Sequence, residues 1–512
     1  MARAIVISSA VSPLPTLPLS MRASLATVAE EARLAARALA DFAAHVVHPT
    51  IRLGVTGLSG SGKTVFITAL VHALLHGGRM PLFEAFATGR IARASLRPQP
   101  DDAVPRFDYE THIRALIGER RWPQSTRRIS ELRLAIDYQS ARGAARERTL
   151  TLDIVDYPGE WLLDLPLLAT SYAQWSRQAL DLSRIEPRRA LAAVWHDHLT
   201  ALRPLGAEDE QAALAAARLF TDYLRACRDE RYALSLLPPG RFLMPGDLEG
   251  SPALTFAPLD LDGGGPAPPG TLWAMMERRF EAYKAAVVRP FFREHFARLD
   301  RQIVLIDALT AFNAGPAALR DLEGALAAIL AAFRVGRKTW TSALVRPRVD
   351  RILFAATKAD QMHHVSHDRL ERILARMTER AGARAQLAGA RIDVVALAAV
   401  RATREAMVER GRDRLPSILG TPATGEHAGT QTFDGATDVA VFPGDLPDDA
   451  QNLFDPDQAP FKGLTAGTEQ EADYRFLRFR PPALETTGPG EPALPHIRLD
   501  RALQFLLADR LE

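Results

Sequence analysis

Apolar and polar side chains follow a regular order near the start of this chain of 512 residues. Residues 22–47 place apolar side chains three and four positions apart, which predicts an amphipathic helix. An apolar strand is predicted at residues 51–56, and a glycine-rich turn separates it from a second helical pattern at residues 65–76. A strand, a turn and a helix in this order are typical of an α/β protein.

Further apolar patterns predict the rest of a sheet. Residues 129–138 and 148–157 alternate apolar and polar positions, as β-strands do. The segment between them is too short for a crossover helix, so we predict an antiparallel hairpin. Continuous apolar runs at residues 302–309, 351–357 and 391–397 predict strands buried on both faces, with helical patterns between them. The expected fold class is α/β, with a mixed sheet of about six strands that is mostly parallel and has one antiparallel strand.

The stretch between the hairpin and the predicted strand at residues 302–309 is mainly helical in pattern and too long for a connection, so we interpret it as an insertion. After about residue 412 the composition shifts to Gly, Pro, Thr and Asp, with strand-like patterns at residues 437–442 and 473–479 before a last amphipathic helix. The predicted segments are a disordered leader (1–21), a helix and the first part of the sheet domain (22–160), a mainly helical insertion (161–300), the second part of the sheet domain (301–411) and a small β-rich C-terminal extension (412–512).

The charge balance and hydropathy narrow the range of partners. The formal net charge is +2 and no long basic run occurs, so no nucleic-acid partner is expected. No apolar run reaches the roughly eighteen residues that a membrane-spanning helix needs, so we expect no transmembrane segment. Any partner has to be inferred from specific sites.

Cys227 is the single cysteine, which excludes an intramolecular disulfide framework and fits a reducing compartment. A cytoplasmic location is therefore expected. The first twenty residues weakly resemble a secretion signal. In the alternative interpretation they are a disordered tail and Met21 is the true start of the protein. The neighbouring His363 and His364 are expected to be surface residues.

The glycine-rich turn after the first strand carries the strongest chemical signal. Residues 57–64, GLSGSGKT, match the phosphate-loop pattern G-x-x-x-x-G-K-[ST] directly after a strand and at the start of a helix. In such a loop, backbone N–H groups surround the phosphates, Lys63 reaches the β- and γ-phosphate oxygens as a catalytic group, and Thr64 binds Mg²⁺. A plain glycine turn that caps a helix is the alternative. The predicted nucleotide contacts are Gly57, Ser59, Gly60, Ser61, Gly62, Lys63 and Thr64.

Asp156 and Gly159 form a D-x-x-G pattern at the end of the hairpin's second strand. The Asp can hold a Mg²⁺-bound water, and the Gly N–H can bond to a γ-phosphate and release it after hydrolysis. A simple turn is the alternative. Glu160 follows at the position of the water-orienting catalytic residue, commonly Gln, but a γ-phosphate repels a carboxylate. Glu160 is therefore either a poor water-orienting group or a turn residue.

The sequence Thr357-Lys358-Ala-Asp360 ends the predicted strand at residues 351–357 and matches the [NT]-K-x-D base-recognition pattern. An Asp carboxylate can accept hydrogen bonds from guanine N1–H and from its 2-amino group, whereas adenine offers neither donor on that edge. The alternative for Asp360 is a helix cap. Ala396 and Leu397 end the last strand, where a backbone N–H can meet guanine O6, although packing against a helix explains such alanines equally well.

The residue that closes over Mg²⁺ and the γ-phosphate is expected just before the hairpin. Thr126 lies at that position, and Thr111 and Ser125 are alternatives, each of which can equally be an exposed loop residue. Arg127 and Arg128 can supply a cis arginine finger, or they are ordinary solvated charges.

With these motifs placed, the chain resembles the YcjX-like family of bacterial P-loop GTPases over nearly its whole length. The resemblance is carried by four segments: GLSGSGKTVFITALVHALL, DIVDYPGEWLLDLPLL, LLPPGRFLMPGDLEGSPALTFAPL and LPHIRLDRALQFLLADRLE. It implies a Ras-like P-loop NTPase fold with large insertions that binds GTP and GDP. The residues that carry over are Gly57, Gly62, Lys63, Thr64, Asp156, Gly159, Lys358 and Asp360.

The resemblance also implies a link to stress responses and a protein partner, which in this family is a membrane protein. We therefore expect a Mg²⁺-dependent GTPase in the cytoplasm, or peripherally at the inner membrane, that switches conformation to control a partner. Glu160 departs from the Gln of better-known GTPases, so hydrolysis is expected to be slow without that partner. The alternatives are a nucleotide-gated scaffold protein with negligible hydrolysis and, less favoured, a P-loop kinase or ATPase.

Overall fold

The computed structural model describes residues 49–58, 60–124, 128–141, 147–261, 265–332, 349–387, 389–428, 430–447, 476–484 and 491–512. Within this part of the chain, residues 50–512 belong to one compact unit. The helix predicted at residues 22–47 and the leader before it lie outside the described residues. No helix among the described ones is both long enough and apolar enough to cross a membrane.

A seven-stranded sheet forms the centre of the fold, with the order β2-β3-β4-β1-β5-β6-β7. Its strands are β1 (Thr50–Gly57), β2 (Ile91–Arg97), β3 (Ser130–Gln139), β4 (Glu147–Asp156), β5 (Arg301–Ile306), β6 (Arg351–Ala356) and β7 (Arg391–Ala396). Only β3 among them runs against the others, because it is antiparallel to both β2 and β4 and the remaining pairs are parallel. The predicted α/β class, the hairpin and the single antiparallel strand are confirmed.

The expected count of about six strands was too low because β2 has no strong apolar signal. It is an edge strand, and of its side chains only Ala94 is buried, while Arg93 and Arg97 are exposed. An edge strand has one neighbour and buries little, so its sequence does not alternate clearly.

The described helices are α1 (Lys63–His76), α2 (Glu84–Ala87), α3 (Tyr109–Ile117), α4 (Tyr172–Ser183), α5 (Arg188–Leu191), α6 (Ala193–Ala201), α7 (Glu210–Arg228), α8 (Gly240–Leu243), α9 (Leu272–Tyr283), α10 (Arg289–Glu294), α11 (Ala308–Ala314), α12 (Pro316–Ala332), α13 (His367–Leu387) and α14 (Leu499–Leu507). A 3₁₀ helix, Gly159–Ala169, follows β4, and a π-helical turn, Lys284–Val288, joins α9 to α10. The predicted second helix is confirmed as α1, and the last amphipathic helix as α14.

Side chains cover both faces of the sheet. On one face, Leu53 and Leu305 pack with apolar residues of α1 and α14. On the other face, Val304 and Phe354 join a larger core with the insertion and helices α11, α12 and α13. Burial on both faces explains why β5 and β6 read as continuous apolar runs. The prediction that β7 is also buried on both faces was wrong, because β7 lies at the edge of the sheet, where Arg391 is exposed and residues 392–394 are only partly buried.

The insertion between β4 and β5 is largely helical and holds a cluster of aromatic rings. Trp175 stacks on Phe280 with ring centroids 5.1 Å apart, and Trp195 stacks on Tyr223 at 5.1 Å. Phe256 meets Trp175 edge-on at 5.4 Å. Such rings bury large apolar areas, and they belong to the same core that covers this face of the sheet.

The C-terminal part contains two small sheets. Strands β8 (Arg404–Arg410), β9 (Asp413–Gly420) and β12 (Val439–Val441) form one, and β10 (His427–Ala428) with β11 (Gln431–Thr432) forms the other. The strand predicted at residues 437–442 is confirmed as β12. Of the strand predicted at residues 473–479, the first three residues lie outside the described part, and Phe479 makes an isolated bridge to Pro422. The five segment boundaries stay a prediction.

Candidate active site

The phosphate-loop segment forms a tight turn between β1 and α1. Ser61 N donates to Leu58 O at 3.1 Å, and Gly62 caps the start of α1. Gly60 and Gly62 have φ values of +75° and +81°, a region that strains residues with a Cβ. Local geometry therefore explains the glycines of this segment. Ser59 lies outside the described residues.

Lys63 and Thr64 open α1 and are both buried. The ammonium of Lys63 folds back over the loop and donates to Gly57 O at 2.9 Å. Thr64 Oγ1 donates to Gln124 O at 3.3 Å. The chain just before residues 125–127 therefore reaches the threonine predicted to bind Mg²⁺.

The candidates for the closing residue are only partly described. Thr126, Ser125 and Arg127 lie outside the described residues. Thr111 lies in the first turn of α3, where its N–H donates to the capping carboxylate of Asp108 at 3.1 Å. Arg128 is exposed.

Asp156 ends β4, where it is buried and lies opposite Val55 of β1. The earlier carboxylate of the strand, Asp153, is held by Arg133 in two hydrogen bonds of 2.6 and 2.7 Å. Gly159 follows in close contact with the phosphate loop, since a Cβ at this position would lie 2.1 Å from Gly57 O. The D-x-x-G segment and the phosphate loop therefore touch through their main chains.

Glu160 is buried at the start of the 3₁₀ helix, and the insertion packs against it. A Cβ on Gly240 of α8 would lie 2.0 Å from Glu160 O. One turn later, Asp164 accepts hydrogen bonds from Gly240 N at 2.7 Å and from the Tyr283 hydroxyl at 2.6 Å. Burial raises the pKa of the Asp164 carboxyl to about 6, against the lowering effect of these hydrogen bonds and of Arg241.

The base-recognition segment follows β6. Lys358 adopts a left-handed conformation with φ +61°, and its ammonium pairs with Asp307 Oδ2 at 2.5 Å. Asp307 is nearly buried and also caps α11 by accepting from Thr310 N at 3.1 Å. Its Oδ2 would lie 3.9 Å from a Cβ on Gly60, so the carboxylate that pairs with Lys358 lies beside the phosphate loop.

Sequence reasoning missed Asp307. The available signal was an Asp directly after a buried parallel strand, at the carboxyl edge where ligands bind in open α/β sheets. That strand, β5, is the neighbour of β1 in the sheet.

Asp360 lies in a 3₁₀ turn, Ala359–Gln361, and is buried. Its Oδ2 accepts from Ala402 N at 2.8 Å, and its main-chain oxygen accepts from the Thr403 hydroxyl at 2.5 Å. These bonds tie Asp360 to the segment after β7, and helix α13 starts only at His367. Burial raises the pKa of the Asp360 carboxyl to about 6, and the Ala402 amide opposes this shift.

Ala396 and Leu397 reach the same region, but both backbone N–H groups are engaged. Ala396 N donates to Glu371 Oε1 at 2.9 Å, and Leu397 N donates to Ala356 O at 2.7 Å. Leu397 O in turn accepts from Ala359 N at 3.1 Å. The end of β7 therefore supports the Asp360 turn through its carbonyl.

Comparison with known proteins finds a family profile and named relatives over most of the chain. The sequence profile of the YcjX-like family, DUF463, matches residues 51–511. A protein of Escherichia coli K12 named Ras-like GTPase YcjX is 38% identical over 475 residues, which cover 90% of this chain and 96% of that protein. A protein of Shewanella oneidensis with the same name is 35% identical over 489 residues, covering 90% of this chain and 95% of that protein. The chain therefore belongs to the YcjX-like family.

Proposed function

We propose that this protein binds GTP with Mg²⁺ and hydrolyses it to GDP and phosphate, changing conformation to control a protein partner. The observation that carries the proposal is the ion pair of Lys358 with Asp307, whose carboxylate lies beside Gly60, so that the base-recognition segment and the phosphate loop are neighbours. Two relatives named Ras-like GTPase support the choice of nucleotide.

The residues at the end of β4 and the start of α1 fit a magnesium ion. Thr64 and Asp156 are both buried, and they offer a hydroxyl and a carboxylate oxygen, the donor types that Mg²⁺ prefers. Thr64 and Asp156 would hold the ion, which would supply positive charge to neutralise the phosphates of a bound nucleotide. Lys63, held above Gly57 O, supplies a second positive charge where charge develops on the leaving group.

Guanine specificity is assigned to Asp360. Its carboxylate is oriented by Ala402 N and can accept from guanine N1–H and the 2-amino group. The backbone N–H groups of Ala396 and Leu397 already donate hydrogen bonds within the protein, so another backbone N–H has to donate to guanine O6. Ala399 N, two residues on, makes no hydrogen bond to the part of the chain that the structure describes and is our candidate donor.

Glu160 affects the expected rate of GTP hydrolysis. A buried carboxylate that directly follows the γ-phosphate-sensing glycine orients an attacking water poorly, because the γ-phosphate repels it. We therefore propose slow hydrolysis without a partner. The same observation favours a second candidate function, a nucleotide-gated scaffold protein whose hydrolysis is negligible.

A route for the conformational change lies between Gly159 and the insertion. Loss of the γ-phosphate would release Gly159, and the 3₁₀ helix behind it is bonded to the insertion through Asp164, Gly240 and Tyr283. The insertion would then present a different surface to the partner. We propose that this takes place in the cytoplasm or peripherally at the inner membrane, in a stress response.

The test is a titration of the full chain with fluorescent GDP and Mg²⁺, with GTP, ATP and xanthosine diphosphate as competitors. Asp360→Asn should weaken GDP binding about ten- to a hundredfold, because one charged hydrogen bond contributes about 1.5–3 kcal/mol. The variant should gain xanthosine diphosphate binding, since Asn can donate to the 2-oxygen of xanthine. The exposed Asp102→Asn is the matched control and should change neither affinity.

Phosphate release from GTP, measured with Mg²⁺ and with a chelator, separates the two candidate functions. Slow Mg²⁺-dependent release that Lys63→Ala abolishes supports a GTPase. Tight GTP binding without release supports the scaffold protein. Equal competition by ATP contradicts the guanine assignment.

A further inference from the structure

Three side chains with metal-binding atoms meet beside the base-recognition turn. His363 and His364 follow that turn, and Glu405 lies in β8. One nitrogen of each ring and one carboxylate oxygen lie within 4.8 Å of one another. The two rings are side by side, with centroids 4.3 Å apart, and His364 Nδ1 lies 2.9 Å from Glu405 Oε2.

The burial of His363 is a second observation that points to a ligand. Its side chain is only 7% exposed, and Nδ1 is buried without a hydrogen-bond partner in the described structure. Burying a polar group without a partner costs free energy, so an ion or an ordered water that bonds to this nitrogen would stabilise the fold.

The ligand set indicates the kind of ion. Two imidazole nitrogens and one carboxylate oxygen suit zinc, which in open sites takes three protein ligands and a water. Mg²⁺ prefers an all-oxygen set, so this cluster is chemically distinct from the candidate magnesium site. Ligand atoms around tetrahedral zinc lie about 3.4 Å apart. Atoms of this cluster that lie up to 4.8 Å apart would have to approach by as much as about 1.4 Å, whereas His364 Nδ1 and Glu405 Oε2, 2.9 Å apart, would separate slightly.

We propose that His363, His364 and Glu405 bind a zinc ion that joins the base-recognition turn to the strand after β7. Asp360 already connects these segments through Ala402 and Thr403. Zinc adds a second connection three residues further along each segment. Arg401, 3.6 Å from Glu405 Oε1, is the cation that competes for the same carboxylate. None of the three proposed zinc ligands is assigned a contact with the nucleotide. Zinc binding can therefore be tested independently of nucleotide binding.

The first test is calorimetric titration of the full chain, without a histidine tag, with Zn²⁺ in excess Mg²⁺. We expect one zinc per chain. His364→Ala and Glu405→Gln should each weaken zinc binding at least about tenfold. Both side chains are exposed, so the variants should fold. Glu409→Gln, an exposed glutamate on the same strand, and His427→Ala, an exposed histidine, are the matched controls and should bind zinc like the wild type.

A wild type that binds no zinc, or His364→Ala and Glu405→Gln variants with unchanged affinity, would overturn the proposal. Amide hydrogen exchange gives a second readout. Zinc should slow exchange in a peptide covering residues 359–366 of the wild type and leave the same peptide of His364→Ala unchanged. Equal slowing in both proteins places the ion elsewhere and contradicts the assignment.

Discussion

Asp164 shows how one buried carboxyl group can couple the 3₁₀ helix to the insertion. It accepts from Gly240 N and from the Tyr283 hydroxyl, and all three residues are buried. Burial disfavours the charged form more than these bonds favour it, which is why the pKa of Asp164 rises to about 6. The group therefore titrates at a pH where most surface carboxyls are ionised.

The raised pKa of Asp164 determines whether the free energy of unfolding rises or falls with pH. Between about pH 4 and pH 6 the folded protein holds a proton on Asp164 that the unfolded chain has released, so the free energy of unfolding falls as the pH rises. Asp164→Asn stays neutral. We expect the stability of the wild type relative to this variant to fall by about 2–3 kcal/mol across that window.

Urea denaturation at several pH values measures this difference. Asp360 titrates in the same window but is present in both proteins, so its contribution cancels. The exposed Asp102→Asn should run parallel to the wild type. A constant difference between the wild type and Asp164→Asn across the window would show that Asp164 does not titrate there.

At the scale of the secondary-structure elements, the 3₁₀ helix Gly159–Ala169 makes close main-chain contacts on two sides. Gly159 touches the main chain of the phosphate loop at Gly57, and Glu160 touches the main chain of Gly240 in the insertion. Main-chain atoms cannot rotate away as a flexible side chain can. A displacement of this element is therefore transmitted to both neighbours, as an element that senses the γ-phosphate requires.

Gly159→Ala tests this packing. The added Cβ would lie 2.1 Å from Gly57 O, so either the 3₁₀ helix or the phosphate loop has to shift. We expect a loss of about 1–3 kcal/mol in the free energy of unfolding and weaker GDP binding. Gly78→Ala is the control, because a Cβ there meets no atom within 4 Å. Denaturation and GDP titration of both variants measure the effects, and equal results for the two would refute the tight contact.

At the scale of the whole molecule, the C-terminal segment is part of the sheet domain. Arg301 of β5 is fully buried, and Asp509 binds its guanidinium in two hydrogen bonds of 2.7 and 2.8 Å. Leu506 O also accepts from Arg301. The side chains of α14 fill the face of the sheet that also holds α1. Residues more than 200 positions after the start of β5 therefore bind the buried guanidinium at that end of the strand.

Asp509→Ala should destabilise the whole unit. It would leave the buried Arg301 with only its weaker contact to Asp350, 3.3 Å away, and with Leu506 O. We expect a loss of about 2–4 kcal/mol, below the roughly 3–5 kcal/mol for breaking a fully buried ion pair, because Asp509 is partly exposed. Arg510→Ala, at a half-exposed neighbouring residue, should cost less than about 1 kcal/mol. Thermal unfolding measures both, and equal melting temperatures would contradict the anchoring role.

Much of the fold was predictable because its signals are local. Apolar runs identified β5, β6 and β7, and alternation identified the hairpin of β3 and β4. The edge strand β2 was missed, since burial of one small side chain leaves no pattern. The expectation that His363 lies at the surface was wrong, because β8 is brought next to it only by tertiary folding.

The sequence by itself determined the phosphate loop and the order of the motifs, since turns, caps and periodicity depend on neighbours along the chain. Gly60 and Gly62 are examples, because their positive φ values require glycine within the turn itself. Only the tertiary structure decided which distant residues meet. The pairing of Lys358 with Asp307 and of Arg301 with Asp509 depends on where β5 lies in the sheet, because short-range bonds between distant residues form only after the chain has packed.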